Sequence, residues 1–178
     1  MKILIPLAEG FEEIEAMTPI DVWRRAGFEV VTAAIQEGPT RAAHKTSHLA
    51  DALLEKVIHE TYDMIFLPGG NPGYINLGKC APLIERLKKQ ADEDKWIAAI
   101  CAAPTVLGKA GLLKNKNCTC YPSVRNEISQ AKDARVVVDG KLITGIAAGA
   151  AMEFALEIVR ILAGEKKLEA VKKELVCS

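Results

Sequence analysis

Trp96-Ile97-Ala98-Ala99-Ile100-Cys101-Ala102-Ala103-Pro104-Thr105-Val106-Leu107 reads as a buried strand that runs into a helix, with a cysteine on the corner. Ile97 to Ile100 is a continuous apolar run, the pattern of a central parallel strand covered on both faces. Pro104 suits the first turn of a helix, where its fixed φ fits and its missing N–H has no intrahelical partner to lose. Cys101 then stands near a helix N-terminus, where free N–H groups and the dipole favour an anion and lower a thiol's pKa. Local sequence leaves two readings open: an activated nucleophile, or a small buried hydrophobe.

Working outward, the same strand-to-helix rhythm recurs. Lys2 to Leu7 reads as a strand. Glu12 to Ala26 reads as a helix, acidic in its first turn, basic at Arg24 and Arg25, and stopped by Gly27. Phe28 to Ile35 is the next strand, so the chain opens with a β–α–β unit and predicts a parallel sheet with helices on both faces. Gln36 to Thr61 has no clear period and predicts short strands or a hairpin. Asp63 to Leu67 is again an apolar strand, ended by the turn Pro68-Gly69-Gly70-Asn71-Pro72-Gly73. That turn lacks the Gly-Lys-Ser/Thr ending of a phosphate loop and does not fit the dinucleotide fingerprint. Ala81 to Glu93 predicts a surface helix. Asn117 to Tyr121 and Arg135 to Val138 predict strands, Asp139-Gly140 a hairpin turn, and Lys141 to Thr144 the return strand. Gly149 to Ala163 is a helix apolar on nearly all sides, and Glu165 to Leu175 a charged last one.

The 178 residues fit one domain, 1–178, and 49% hydrophobic content supplies its core. Lysine plus arginine and aspartate plus glutamate each number 23, which gives no electrostatic case for nucleic acid or an anionic membrane. The five cysteines, at 80, 101, 118, 120 and 177, form no disulfide framework, and a reducing cytoplasmic home is expected. The opening apolar run is too short for a signal peptide or a membrane span, so the chain is expected to start directly with its fold. Cys118-Thr119-Cys120 is not expected to act as a local dithiol or chelate. His44 and His48 lack the glutamate of a zinc-protease motif and read as solvated. No metal or cofactor is expected.

In open parallel sheets, ligands bind outside the carboxyl ends of the strands. Glu9 to Glu15, Gly69 to Gly73 and Cys101 all fall on that edge, which brings together a thiol, a carboxylate and backbone donors. In order and spacing, Glu12-Glu13-Ile14-Glu15 with Pro19-Ile20-Asp21-Val22, then Leu67-Pro68-Gly69-Gly70-Asn71, then Ala98-Ala99-Ile100-Cys101-Ala102-Ala103-Pro104 resemble the ThiJ/PfpI superfamily. The branch most similar is that of the Parkinson-disease-associated deglycase (DJ-1-like) and its bacterial relatives. Leu142-Ile143-Thr144 and Glu153-Phe154-Ala155-Leu156 extend the resemblance over nearly the whole chain.

The resemblance implies a flavodoxin-like (class I glutamine amidotransferase-like) three-layer α/β sandwich, usually a homodimer, with Cys101 on a strained nucleophile elbow. Glu15 matches the glutamate whose protonated carboxyl hydrogen-bonds the sulfur, and Gly70 and Ala102 match the backbone donors of an oxyanion hole. Without the resemblance, Glu15 reads as a solvated first-turn residue. Gly69, Asn71, Tyr121 and Ile146 are expected around the pocket. Two departures stand out: Tyr121 precedes Pro122 where the family often has a histidine, and Gly145-Ile146-Ala147-Ala148-Gly149 replaces an arginine-bearing run. They argue against a Cys–His–acid peptidase and for a more apolar pocket suited to small, weakly charged substrates. The expected function is a slow, cofactor-independent, glyoxalase- or deglycase-like enzyme of carbonyl stress. The alternatives are a redox-sensing or chaperone-like protein with an oxidisable Cys101, and a degenerate site filled by Tyr121 and the Ile146 segment.

Overall fold

The computed structural model describes residues 1–128 and 130–177. In chain order the elements are β1 (Lys2–Leu7), α1 (Glu13–Arg25), β2 (Glu29–Ala34), β3 (Thr40–Arg41), β4 (Ser47–His48), β5 (Ala52–Leu53), α2 (Leu54–Val57), β6 (Met64–Leu67), α3 (Gly73–Lys79), α4 (Ala81–Asp92), β7 (Trp96–Ile100) and α5 (Pro104–Lys109). They continue with β8 (Val136–Asp139), β9 (Leu142–Gly145), α6 (Ala151–Ala163) and α7 (Glu165–Leu175). Seven strands form one sheet in the order β5-β2-β1-β6-β7-β9-β8, parallel throughout except for the β8–β9 hairpin. β3 and β4 pair as a separate small hairpin.

The apolar strands have to be covered on both faces, and successive side chains divide between them. Ile3, Ile5, Phe66, Ile100 and Ile143 face α1, α6 and α7, where Trp23 meets Phe66 edge to face at 5.2 Å and donates its indole N–H to the Ala155 carbonyl at 3.0 Å. Leu4, Ile65, Leu67, Ile97 and Ala99 face the opposite layer, with Leu54, Leu83, Leu87, Val106 and Leu107. The result is the expected three-layer, flavodoxin-like sandwich.

One predicted strand is absent. Between Asn117 and Tyr121 the chain makes a single bridge, Cys118 to Ala131, and its other donors go elsewhere: Thr119 N–H to the Thr144 hydroxyl at 2.9 Å and Tyr121 N–H to the Cys101 carbonyl at 2.7 Å. Residues two apart on an extended segment point the same way, and Cys118 and Cys120 are both buried in one cluster rather than on opposite faces. None of the described helices is long and apolar enough to cross a membrane.

Candidate active site

Three loops at the carboxyl edge of the sheet build the site, and backbone hydrogen bonds lock them together. Glu12 N–H donates to the Gly69 carbonyl at 3.1 Å and Gly73 N–H to the Gly10 carbonyl at 3.1 Å. At the end of β7 the chain turns at Cys101, whose φ of 63° is a left-handed conformation uncommon for a residue with a side chain. Neighbours on both sides hold it there. Cys101 N–H donates to Gly145 at the end of β9 at 2.9 Å, and its carbonyl accepts from Tyr121.

Glu15 begins the inward stripe of α1, which continues through Ala16, Pro19, Ile20 and Trp23 at helical spacing. It is 1% exposed, which overturns its reading as a solvated first-turn residue. Gly69 N–H and Ala148 N–H donate to its carboxyl, which is also within hydrogen-bonding reach of the Cys101 sulfur. Only glycine fits at 69, since a Cβ there would lie 2.6 Å from Glu15 Oε2 and 2.7 Å from Cys101 Cβ. Gly70, at φ +90°, is equally constrained, its Cβ position lying 2.3 Å from the Glu12 nitrogen. This close approach lets the N–H groups of Gly70 and Ala102 reach the sulfur.

Burial pushes Glu15 up to about 7, against the lowering pull of Cys101 and the Gly69 N–H. Burial, followed by the charge of Glu15, also pushes the Cys101 thiol well above its ordinary range, while Ala102 and Gly70 pull it back. This is the reverse of the lowering expected from a helix N-terminus, because α5 starts only at Pro104 and the thiol stands in a desolvated wall. The pair holds one negative charge readily and a second one at high cost. A proton placed on Glu15 leaves the sulfur as the nucleophile and turns the carboxyl into a donor toward it.

Above this pair lies a cavity of about 510 Å³, also bordered by Asn71, Tyr74, Tyr121, Ser123 and Ala147 to Gly149. Tyr121 and Asn71 are where the sequence reading put them. Ile146 is not: its N–H is held by the Arg135 carbonyl at 2.9 Å, and the small residues after it form the wall instead. Gly69 lies beneath Glu15 rather than on the cavity surface. Tyr121, at 44% exposed, borders the cavity without filling it.

Sequence reasoning missed the rim. His44 reaches the cavity from the β3–β4 hairpin, which is anchored by Ala43 N–H on the Phe11 carbonyl at 2.8 Å. Its Nδ1 lies 3.1 Å from Glu13 Oε2 and 3.4 Å from Glu12 Oε2. The hydrogen bond to Glu13, then the Glu12 charge, raise the His44 pKa. Burial of Glu13 is outweighed by its own N–H, the Thr46 hydroxyl and His44, which hold it at about 2. Ligand atoms of Glu12, Glu13 and His44 lie within 4.8 Å of one another, but donors already occupy the Glu13 oxygens. They form an ion-pair knot rather than a metal cage. The rim is therefore charged rather than apolar, although no lysine or arginine is among the described residues bordering the cavity. No local period or motif in Arg41 to His48 marks the histidine for this place.

A cysteine on a strand-to-helix elbow, with a buried glutamate and two backbone donors on its sulfur, defines a class of α/β cysteine proteins. The chain belongs to the DJ-1/PfpI family, whose pattern matches residues 1–161. It is 40% identical over 178 residues to Protein dj-1beta of Drosophila melanogaster, covering 97% of this chain and 95% of that one. It is 36% identical to the glutathione-independent glyoxalase DJR-1.2 of Caenorhabditis elegans, covering 97% and 94%. The oxidized structure of Toxoplasma gondii DJ-1 superposes with a TM-score of 0.96 at 36% identity, over 99% of this chain and 98% of that one.

Proposed function

We propose that the chain is a cysteine-dependent, cofactor-independent enzyme acting on α-oxoaldehydes such as methylglyoxal. The observation that carries this reading is the convergence of the Glu15 carboxyl and the Gly70 and Ala102 N–H groups on one sulfur at the floor of a cavity. The Cys101 sulfur adds to the aldehyde carbon while its proton passes to Glu15, a base poised near neutrality. The two N–H groups take up the oxyanion, and Glu15 returns the proton to give the hemithioacetal. Glu15 next moves the proton from the former aldehyde carbon to the neighbouring one through an enediol, while the hydroxyl proton passes to the neighbouring carbonyl oxygen, which leaves a 2-hydroxyacyl thioester on Cys101. Water cleaves the thioester to a hydroxy acid and the free thiol. A relative named as a glutathione-independent glyoxalase supports the reading. Lactate formation from methylglyoxal tests it: Cys101→Ser is expected to abolish formation, and equal rates in the two proteins would end the proposal.

The same donors favour a second reading, in which Cys101 stops at sulfinate because the Glu15 carboxyl and the two N–H groups hold its oxygens. Mass spectrometry after mild peroxide decides this one. If Cys101 stays reduced while Cys80 or Cys177 oxidises, the sensor role is wrong.

A further inference from the structure

We propose that His44, oriented by Glu13, is the general base that activates water for hydrolysis of the acyl group on Cys101, an assignment that rests on the α-oxoaldehyde reading. The proposed cycle ends in a thioester, and its cleavage needs a base on the open side of the acyl carbon. Glu15 is badly placed for that step, because it lies in the buried wall, tied to the sulfur and to the Gly69 and Ala148 N–H groups. His44 borders the same cavity and is 74% exposed, so water reaches it.

The Glu13 carboxylate does for His44 what an orienting acid does in any base–acid pair. It accepts Nδ1–H at 3.1 Å, which fixes the tautomer and leaves the lone pair on Nε2. The carboxylate is itself held by the Thr46 hydroxyl at 2.9 Å and the His44 N–H at 3.0 Å. His48 is engaged elsewhere, its Nε2 lying 2.9 Å from the Thr46 hydroxyl. The charged and titratable groups about His44 are Glu12 just before α1 and Glu13 at its start, Arg41, Lys45 and His48 on its own hairpin, and Glu15, Tyr74, Cys101 and Tyr121 across the cavity.

In the step itself, Nε2 takes one proton from water as the oxygen bonds to the thioester carbonyl carbon. Collapse of the tetrahedral intermediate breaks the C–S bond and releases the hydroxy acid. The imidazolium returns its proton to the departing sulfur, so no other reactant is needed.

Rapid-quench mass spectrometry of Cys101 during methylglyoxal turnover tests the assignment. His44→Ala is expected to accumulate the Cys101 acyl adduct and clear it about a hundredfold more slowly, with added imidazole restoring the rate. Glu13→Gln is expected to move the acid limb of hydrolysis to lower pH, because the raised His44 pKa depends on that carboxylate. Clearance by His44→Ala at the wild-type rate, no response to imidazole, or an unmoved acid limb in Glu13→Gln overturns the role of His44. A wild type that makes neither adduct nor lactate overturns the underlying reading, and this inference with it, before any variant is needed.

Discussion

Glu13 and Glu15 leave the same first turn of α1 and meet opposite surroundings. Glu15 turns into the wall, loses its water and is pushed up to about 7. Glu13 turns to the rim, gathers the Thr46 hydroxyl and two donors of His44, and is held at about 2. Two residues of spacing on a helix amount to roughly half a turn, enough to send two identical carboxyls into different dielectric environments. The wall is buried, where the first turn of α1 meets the strand ends. The rim is exposed and built from loops. The two carboxyls therefore carry separate kinds of chemistry, one toward sulfur and one toward imidazole.

Replacing Glu15 in the wall should have the strongest consequence. Glu15 has an ordinary value of 4.5 and a folded value of about 7, so between these pH values the folded chain binds more protons than the unfolded one. Its neutral form suits the fold, and stability is lost as pH rises from about 4.5 to 7, by roughly 3 kcal/mol in all. Denaturant titrations of wild type and Glu15→Gln should therefore diverge across that window, the variant gaining on wild type as pH rises. A parallel pair of stability curves would show that burial does not govern Glu15.

Next in size is the contact that makes the wall possible. Gly69→Ala places a Cβ against both Glu15 and Cys101, and overpacking of this kind costs about 1–3 kcal/mol. The thermal midpoint should fall, and Cys101 alkylation should slow as the displaced loop draws the Gly70 N–H off the sulfur. Wild-type alkylation in a destabilised Gly69→Ala would separate the fold from the pair.

The wall was legible in the sequence and the rim was not, for reasons that particular residues show. The run Ile97 to Ile100 before Cys101, and the spacing of Glu15, Ala16, Pro19, Ile20 and Trp23, carry their own periods, so strand, elbow and inward stripe follow from local pattern. The role of Glu15 needed the family resemblance, because a glutamate in a first helical turn is usually solvated. His44 sits in a hairpin of two-residue strands, positioned by backbone bonds to Phe11 that no side-chain pattern encodes. The Cys118 to Tyr121 segment alternates like a strand, yet its donors go to Thr144 and Cys101, partners distant in sequence. Ile146 was placed at the cavity by position in a motif, and the backbone turns it away.

A smaller effect tests the rim's carboxyl and carries the opposite sign of pH dependence. Glu13 falls from 4.5 unfolded to about 2 folded, so its contribution is present above pH 4.5 and is lost as pH drops toward 2. Its histidine partner is largely exposed and the pair is screened, which reduces the contribution to about 1 kcal/mol. Glu13→Gln should thus be less stable than wild type at pH 6 and level with it near pH 2. Taken with Glu15, the two carboxyls favour a stability maximum near pH 4.5, where Glu13 is charged and Glu15 is still protonated in the fold.

The smallest effect belongs to the residue that departs from the family's histidine. Tyr121 reaches the elbow through its backbone, since its N–H holds the Cys101 carbonyl at 2.7 Å while its ring stands 44% exposed at the cavity edge. Truncation to alanine keeps that N–H, and an exposed side chain away from the core changes stability by no more than about 0.5 kcal/mol. Tyr121→Ala should therefore unfold with wild type and alkylate Cys101 at the wild-type rate. Tyr121→Pro removes the N–H and releases the carbonyl that helps keep Cys101 at positive φ, so alkylation should fall in that variant alone. If alanine slows alkylation as much as proline does, the ring rather than the backbone supports the wall, and the boundary between wall and rim moves to include it.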